Sequence, residues 1–217
     1  MASVGVSSAL DGGSVMTTLV LVGPHGVGKT TLAQALAARL GVASHAELGR
    51  QLASDPSWRP AGATAADAAA AFDTELFARE LARDLAHPAG LPRVVETWHP
   101  GNLAYAARRS PAVVTTWLGA LRARAQTERV LVLPLVAPRA VLARRQSEVG
   151  DLDFFREVGA HATGWARILG LPCLPPLDTA DSPPAVLATL VLARLGGALP
   201  PGHPRSRSLA HFALRGD

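Results

Sequence analysis

The chain has 217 residues, 48% of them hydrophobic and 18% charged, which suits one compact domain with a buried core and excludes disorder as the main state. Its longest apolar runs, at 18–22 and 130–133, fall far short of the ~20 residues of a membrane helix, and its single cysteine, Cys173, excludes an intrachain disulfide or a cysteine-built zinc site and makes a reducing cytoplasmic setting the expectation. The net charge of +4 comes from scattered basic residues without a block or stripe, which argues against a nucleic-acid partner.

Residues 1–16 are small and polar, lack a basic start, and read as a loose leader, not a signal peptide; a natural start at Met16 stays open. The first strand is predicted at 19–22, and Leu32, Leu36 and Leu40 mark a helix behind it. A weaker strand at 42–46 precedes an Ala-rich helix over 65–86, in which Phe77, Leu81 and Leu85 are predicted to bury one face. A strand over 93–97 leads into Trp98-His99-Pro100-Gly101-Asn102, whose residue types are those of a turn. Ser110-Pro111 reads as the N-cap and first residue of a helix continued by Val113, Trp117 and Leu121. The continuous apolar strand at 130–133 is of the kind covered on both faces, and Pro134, which lacks a donor, is predicted to mark where its pairing stops. Asp151 is the predicted cap of a helix whose Phe155, Val158, Ala162, Trp165 and Leu169 recur at helical spacing, with Trp117 and Trp165 as core packing. A last strand is predicted at 173–177, and 199–217 reads as a basic tail, leaving 17–198 as the domain. Strands alternating with helices imply an α/β domain of three layers, with a parallel sheet of about five strands and helices on both faces.

The strand at 19–22 runs straight into Gly23-Pro24-His25-Gly26-Val27-Gly28-Lys29-Thr30 and then into a helix, which is G-x-x-x-x-G-K-[ST] in the context that gives it meaning. Glycines let successive backbone N–H groups, including those of Gly26, Val27 and Gly28, turn toward phosphate oxygens, and the helix N-terminus adds about half a positive charge. Lys29 would lie along the β and γ phosphates, the Thr30 hydroxyl would ligate Mg2+, and Thr31 would stand near the α phosphate. Of 21 basic residues, twenty are arginine and Lys29 is the one lysine; a planar guanidinium fits such a compact loop worse than an ammonium. The sequence has no Asn-Lys-x-Asp element for guanine, and it is too short for an ABC cassette or a full AAA module with its lid domain. A small kinase or a small regulatory NTPase remains.

With these residues, and with Glu47-Leu48-Gly49-Arg50, Val94-Val95-Glu96-Thr97, the arginine-rich 138–145 segment, and Phe154 to Val158 leading to Leu177-Asp178-Thr179, the chain resembles the P-loop nucleoside and nucleotide kinases. That group includes thymidylate kinases, deoxynucleoside kinases and nicotinamide riboside kinase-like ATPases, and the resemblance spans roughly 19–195. It implies the P-loop NTPase fold with a small arginine-rich lid at about 138–153, and a Mg2+-dependent transfer of the γ-phosphoryl of ATP to a hydroxyl or phosphate of a small molecule, most plausibly nucleoside-like. Glu96, at the carboxyl end of its strand, would either hold Mg2+ through water or accept the proton of the attacking hydroxyl; an ion pair with an arginine is the structural alternative. Trp98, His99 and Asn102 would face the acceptor, or else form a rigid turn. Glu47 and Arg50 resemble acceptor-side residues of the nicotinamide riboside kinase-like group, or pair with each other at a helix start. Arg139, Arg144 and Arg145 would belong to the lid, with Arg145 first and Arg144 next as the guanidinium that closes over the phosphates, or lie on a solvated helix face. Asp178 and Thr179 would lie beside the base, ATP being preferred over GTP by resemblance alone. A kinase of a non-nucleoside secondary metabolite and an ATP-controlled binding module are the other readings, and a homodimer stays open.

Overall fold

The computed structural model describes residues 18–59, 64–88, 90–145 and 152–196. The predicted leader, the Asp151 cap, the 146–151 part of the lid and the basic tail lie outside the described residues.

Strand β1 (Thr18–Val22) sits at the centre of an all-parallel five-stranded sheet of order β2-β3-β1-β4-β5, with β2 at Ala43–His45, β3 at Arg93–Glu96, β4 at Val130–Val136 and β5 at Leu177–Asp178. Alternation along the strands divides the core into two layers. Leu19, Leu21, Val94, Leu133 and Leu135 join Leu32 and Leu36 of α1 (Lys29–Leu40) and Leu187, Val191 and Leu195 of α8 (Pro184–Gly196). Val20, Val22, Val95 and Val132 face the other way, toward Phe77 of α3 (Ala65–Ala86), Trp98 and Leu103 of α4 (Trp98–Arg109), Leu121 of α5 (Pro111–Thr127) and Val158 of α7 (Leu152–Ile168). Helices therefore cover both faces, giving the three-layer α/β fold of P-loop NTPases. Two short helices, α2 (Leu48–Ser54) and α6 (Arg139–Arg145), complete the described residues. Trp117 and Trp165 pack against the second layer, as the spacing predicts.

Several local expectations are corrected. Pro134 does face the last residue of β1, but β4 runs on through Val136 because Leu135 and Val136 pair with β5. The strand predicted at 173–177 is reduced to one bridge at Cys173 and the pair Leu177–Asp178, since Pro175 and Pro176 offer no donors to a ladder. Leu85 is 78% exposed; the inward face of α3 carries Asp73, Leu76, Phe77, Glu80 and Asp84 instead, and its carboxylates are met by Arg109, Arg83 and Arg93. Ser110 stands at the N-cap of α5, yet its hydroxyl donates to Asp73 and makes no cap hydrogen bond.

The predicted turn at 98–102 is the first turn of α4. Pro100 and Gly101 look like breakers, but a helix tolerates proline in its first turn, where the missing N–H has no carbonyl to meet. The chain passes from β3 to α4 with a single intervening residue, Thr97, at φ 67° and ψ −62°, followed by Trp98 at φ 47°. Such positive φ values in non-glycine residues cost about 1–3 kcal/mol each and persist only where the surroundings impose them. Here the Thr97 N–H donates to the Leu21 carbonyl at 2.9 Å, and the Gly101 N–H donates to the Thr97 carbonyl at 3.0 Å.

Candidate functional site

The cradle follows β1 directly. Gly23, Gly26 and Gly28 have φ values of 152°, 76° and 96°, and a side chain at Gly23 would strike the Leu135 carbonyl, with its Cβ 2.5 Å from the oxygen. Lys29 opens α1 and is 5% exposed. Its Nζ donates to the carbonyls of Gly23 at 3.1 Å and Pro24 at 3.2 Å, so the ammonium is satisfied by the loop that it would leave for a phosphate. Burial lowers its pKa, while the charges of Glu47 and Glu96 work against that shift.

One residue on, the Thr30 hydroxyl donates to Oε2 of Glu96 at 2.7 Å. Glu96 is buried at the carboxyl end of β3, and burial raises its carboxyl pKa against the opposing pull of Thr30 and Lys29. A hydroxyl and a carboxylate at this separation form a hard-oxygen pair that fits Mg2+. Among the described residues no group of three or more His, Cys, Asp or Glu side chains would hold a metal alone, so such an ion would need phosphate oxygens to complete its shell.

A cavity of about 420 Å3 opens over the cradle, lined by the loop and by Thr31, Arg50, Arg145, Thr179 and Ser182 among others. Thr179 fixes its far wall, donating to the Val27 carbonyl at 2.7 Å. Arg145 donates to the Thr179 carbonyl at 2.7 Å and to the Ala180 carbonyl at 3.0 Å, so in this structure it is moored to the loop after β5. Arg144 is exposed and does not line the cavity. Asp178 is exposed, and its Oδ1 accepts the Ala180 N–H at 2.8 Å. Arg139 pairs with Asp153 at 3.3 Å.

Glu47, the N-cap of α2, and Arg50 in its first turn lie 3.8 Å apart, and Arg50 also lines this cavity. Both influence Lys29 and Glu96 electrostatically, and Oε2 of Glu47 is buried with no hydrogen bond. Tyr105 of α4 joins this neighbourhood; burial and then the charge of Glu47 push its phenol pKa up. A chain of rings continues from Tyr105 to Phe154 at 6.2 Å, Phe155 at 5.5 Å and His25 at 5.4 Å, while Arg109 stacks over Tyr105 and Phe72. Tyr105 is absent from the sequence prediction, although its being the only tyrosine and its position one helical turn past the 98–102 segment were visible signals.

Trp98, His99 and Asn102 are elsewhere. All three are buried; the Trp98 and His99 ring nitrogens bond to Asp84, and the Asn102 amide donates to Glu80 at 3.1 Å. The expectation that they meet an acceptor is corrected, because α4 begins at Trp98 and turns these side chains into the protein.

A family model described as an AAA domain matches residues 18–167. Deoxyadenosine kinase from M. mycoides, solved with the products dcmp and a flexible dcdp, is 11% identical with a TM-score of 0.58, over 83% of this chain and 99% of that one. YorR from Bacillus subtilis, in complex with phosphorylated GDP, is 16% identical with a TM-score of 0.51, over 82% and 95%. NadR in complex with NR is 16% identical with a TM-score of 0.53; the match covers 77% of this chain and 44% of that protein, so this chain spans less than half of it. Among curated proteins no relative matches. The fold is that of the P-loop nucleoside and nucleotide kinase-like proteins. The chain belongs to the AAA domain family, whose model matches residues 18–167. Among the described residues no helix is long and apolar enough to cross a membrane.

Proposed function

We propose that the protein is a Mg2+-dependent phosphotransferase that moves the γ-phosphoryl of ATP to a hydroxyl or phosphate of a small, ring-bearing, nucleoside-like molecule in the cytoplasm. The observation that carries this reading is the constellation at the end of β3: Lys29 in the cradle, and Thr30 hydrogen-bonded to Glu96 at 2.7 Å, with Glu47 and Arg50 acting electrostatically on Lys29, Glu96 and Tyr105. The nucleotides held by the deoxyadenosine kinase and YorR structures support a nucleoside-like acceptor.

In the reaction the bond between the γ-phosphorus and its bridging oxygen breaks, the acceptor oxygen takes its place, and ADP leaves. Lys29 turns from the Gly23 and Pro24 carbonyls to the phosphates and offsets charge on the transferred group. Thr30 and Glu96 would hold a magnesium ion, which when bound would offset negative charge on the phosphates. Glu96 either serves that ion or receives the acceptor proton. Glu47 accepts a hydrogen bond from an acceptor hydroxyl, and the Tyr105 and Phe154 rings offer apolar faces to its ring. Arg145, with Arg144 behind it, releases the loop after β5 and closes on the phosphates; Gly26, Val27, Gly28 and Thr31 bind the phosphate chain, and Asp178 and Thr179 border the base.

The test is incubation of the full chain with ATP, Mg2+ and a panel of nucleosides, nucleotides and metabolite alcohols. Acceptor-dependent ADP release with a phosphorylated product is the expected result. Slow ADP release that no acceptor accelerates would overturn the transferase reading in favour of the regulatory module.

A further inference from the structure

A second ionic centre lies beneath the β3–α4 corner, and phosphoryl transfer makes no direct use of it. Asp84, on the last turns of α3, is fully buried. It accepts Arg93 Nη2 at 2.8 Å, His99 Nε2 at 2.9 Å, and Trp98 Nε1 at 3.1 Å to each of its oxygens. Burial pushes its carboxyl pKa up, but the bonds from His99, Arg93 and Trp98 outweigh burial and hold it below the ordinary range.

A buried charge with many partners stabilises a fold no better than good apolar packing in the same volume, so its placement needs another account. Its donors share one property. Arg93 opens the strand that ends in Glu96, and Trp98 and His99 are the first two residues beyond strained Thr97. Asp84 thus grips the chain on both flanks of Glu96, while Arg93 is further held by Glu128 at 2.8 Å and by Thr18 of β1 at 3.1 Å. Arg93 Nη1 and His99 Nδ1 are buried without partners; the hydrogen bond of the His99 ring goes to Asp84, while Arg93 is shared between Asp84 and Glu128. A left-handed Thr97 allows the strand to stop at Glu96 with its carboxylate on Thr30.

We propose that Asp84 is a positioning residue for the metal pair: by holding Arg93, Trp98 and His99 it fixes the strained corner that delivers Glu96 to Thr30, and it thereby sets the affinity of the cradle for a magnesium-complexed nucleotide. This rests on the nucleotide part of the proposed function and not on phosphoryl transfer. Groups behind metal ligands commonly act in this way, and their loss costs about 10–100-fold in metal affinity.

Calorimetric titration of the full chain with a non-hydrolysable ATP analogue, in EDTA and in Mg2+, tests it. Asp84→Asn keeps the size of the side chain and an acceptor for Trp98, but removes one of the two carboxylate charges that pair with Arg93, the other being Glu128. The expected result is a metal-free affinity within about threefold of wild type and a Mg2+-dependent gain reduced about tenfold or more. In the Glu96→Gln background, Asp84→Asn is expected to change that gain no further. A parallel loss in both conditions, or an equal loss of the gain in both backgrounds, marks a merely structural residue and overturns the proposal. Should Asp84→Asn fail to fold, His99→Leu and Trp98→Phe each remove one of its donors; a wild-type gain in both folded variants overturns it as well. A wild type that shows the Mg2+-dependent gain and transfers phosphoryl to no acceptor overturns the kinase reading alone, whereas a wild type without that gain overturns this proposal.

Discussion

Lys29 and Glu96 meet at the cradle from opposite directions, one through a loop and the other through a strand, and their chemistry separates cleanly. Lys29 is the only lysine in the sequence, and its Nζ reaches two loop carbonyls, so Lys29→Ala removes the ammonium proposed to meet the phosphates without emptying a hydrophobic core. Phosphoryl transfer in that variant is expected to fall at least about 10²–10³-fold, with an unchanged far-ultraviolet spectrum. Glu96→Gln keeps the Thr30 hydrogen bond and loses the charge; kcat is expected to drop about 10²-fold or more, with the metal-free nucleotide affinity nearly unchanged and the Mg2+-dependent gain in affinity reduced. Steady-state kinetics beside direct binding measures both, and near-normal turnover in either variant would remove the corresponding role.

The β3–α4 corner is the element where local and global demands conflict most. A Cβ on Gly101 would lie 2.3 Å from Thr97 Cγ2, so Gly101→Ala, a change that favours an isolated helix by about 1 kcal/mol, is expected to destabilise this protein by about 1–3 kcal/mol. Thr97→Gly removes both the methyl and the penalty of its positive φ, and in that background Gly101→Ala should become neutral or stabilising in urea unfolding. The same corner shows what a sequence can and cannot reveal. The cradle was legible because its chemistry is local: glycine, lysine and threonine at fixed spacing between a strand and a helix. The alternation of strands and helices was legible for the same reason. Trp98, His99 and Asn102 were misread because proline and glycine in a first helical turn carry the same signature as a loop. Leu85 was misread because only the assembled fold sets Asp84 against Arg93, which turns the inner face of α3 polar at that level. Glu47 and Tyr105 come together across two connections that no spacing rule joins.

Across the whole molecule, one layer of the core is aliphatic, while the other carries Asp73, Glu80 and Asp84 with their arginines. Two of these arginines reach His45 at the end of β2, where burial, then the charges of Arg83, Arg93 and His87, lower the imidazole pKa to about 4. Its Nε2 is buried without a partner, as suits a neutral ring. Since the unfolded chain protonates this histidine near its ordinary 6.5, the stability it contributes is present above that pH and is lost as pH falls from there toward 4. Thermal unfolding is expected to shift down by roughly 1 kcal/mol, or about 3 °C, between pH 7 and pH 5 through this group, and His45→Gln should remove that share of the slope. Lys29 has a practical consequence at this scale too. With Lys29 the one lysine in the sequence, an amine-selective acylating reagent finds one side-chain amine in the entire polypeptide, and that amine is folded back onto Gly23 and Pro24. The rate at which it is modified then times how often the loop lets go, and protection by a bound phosphate chain gives an occupancy assay that needs no label, no engineered probe and no knowledge of the acceptor.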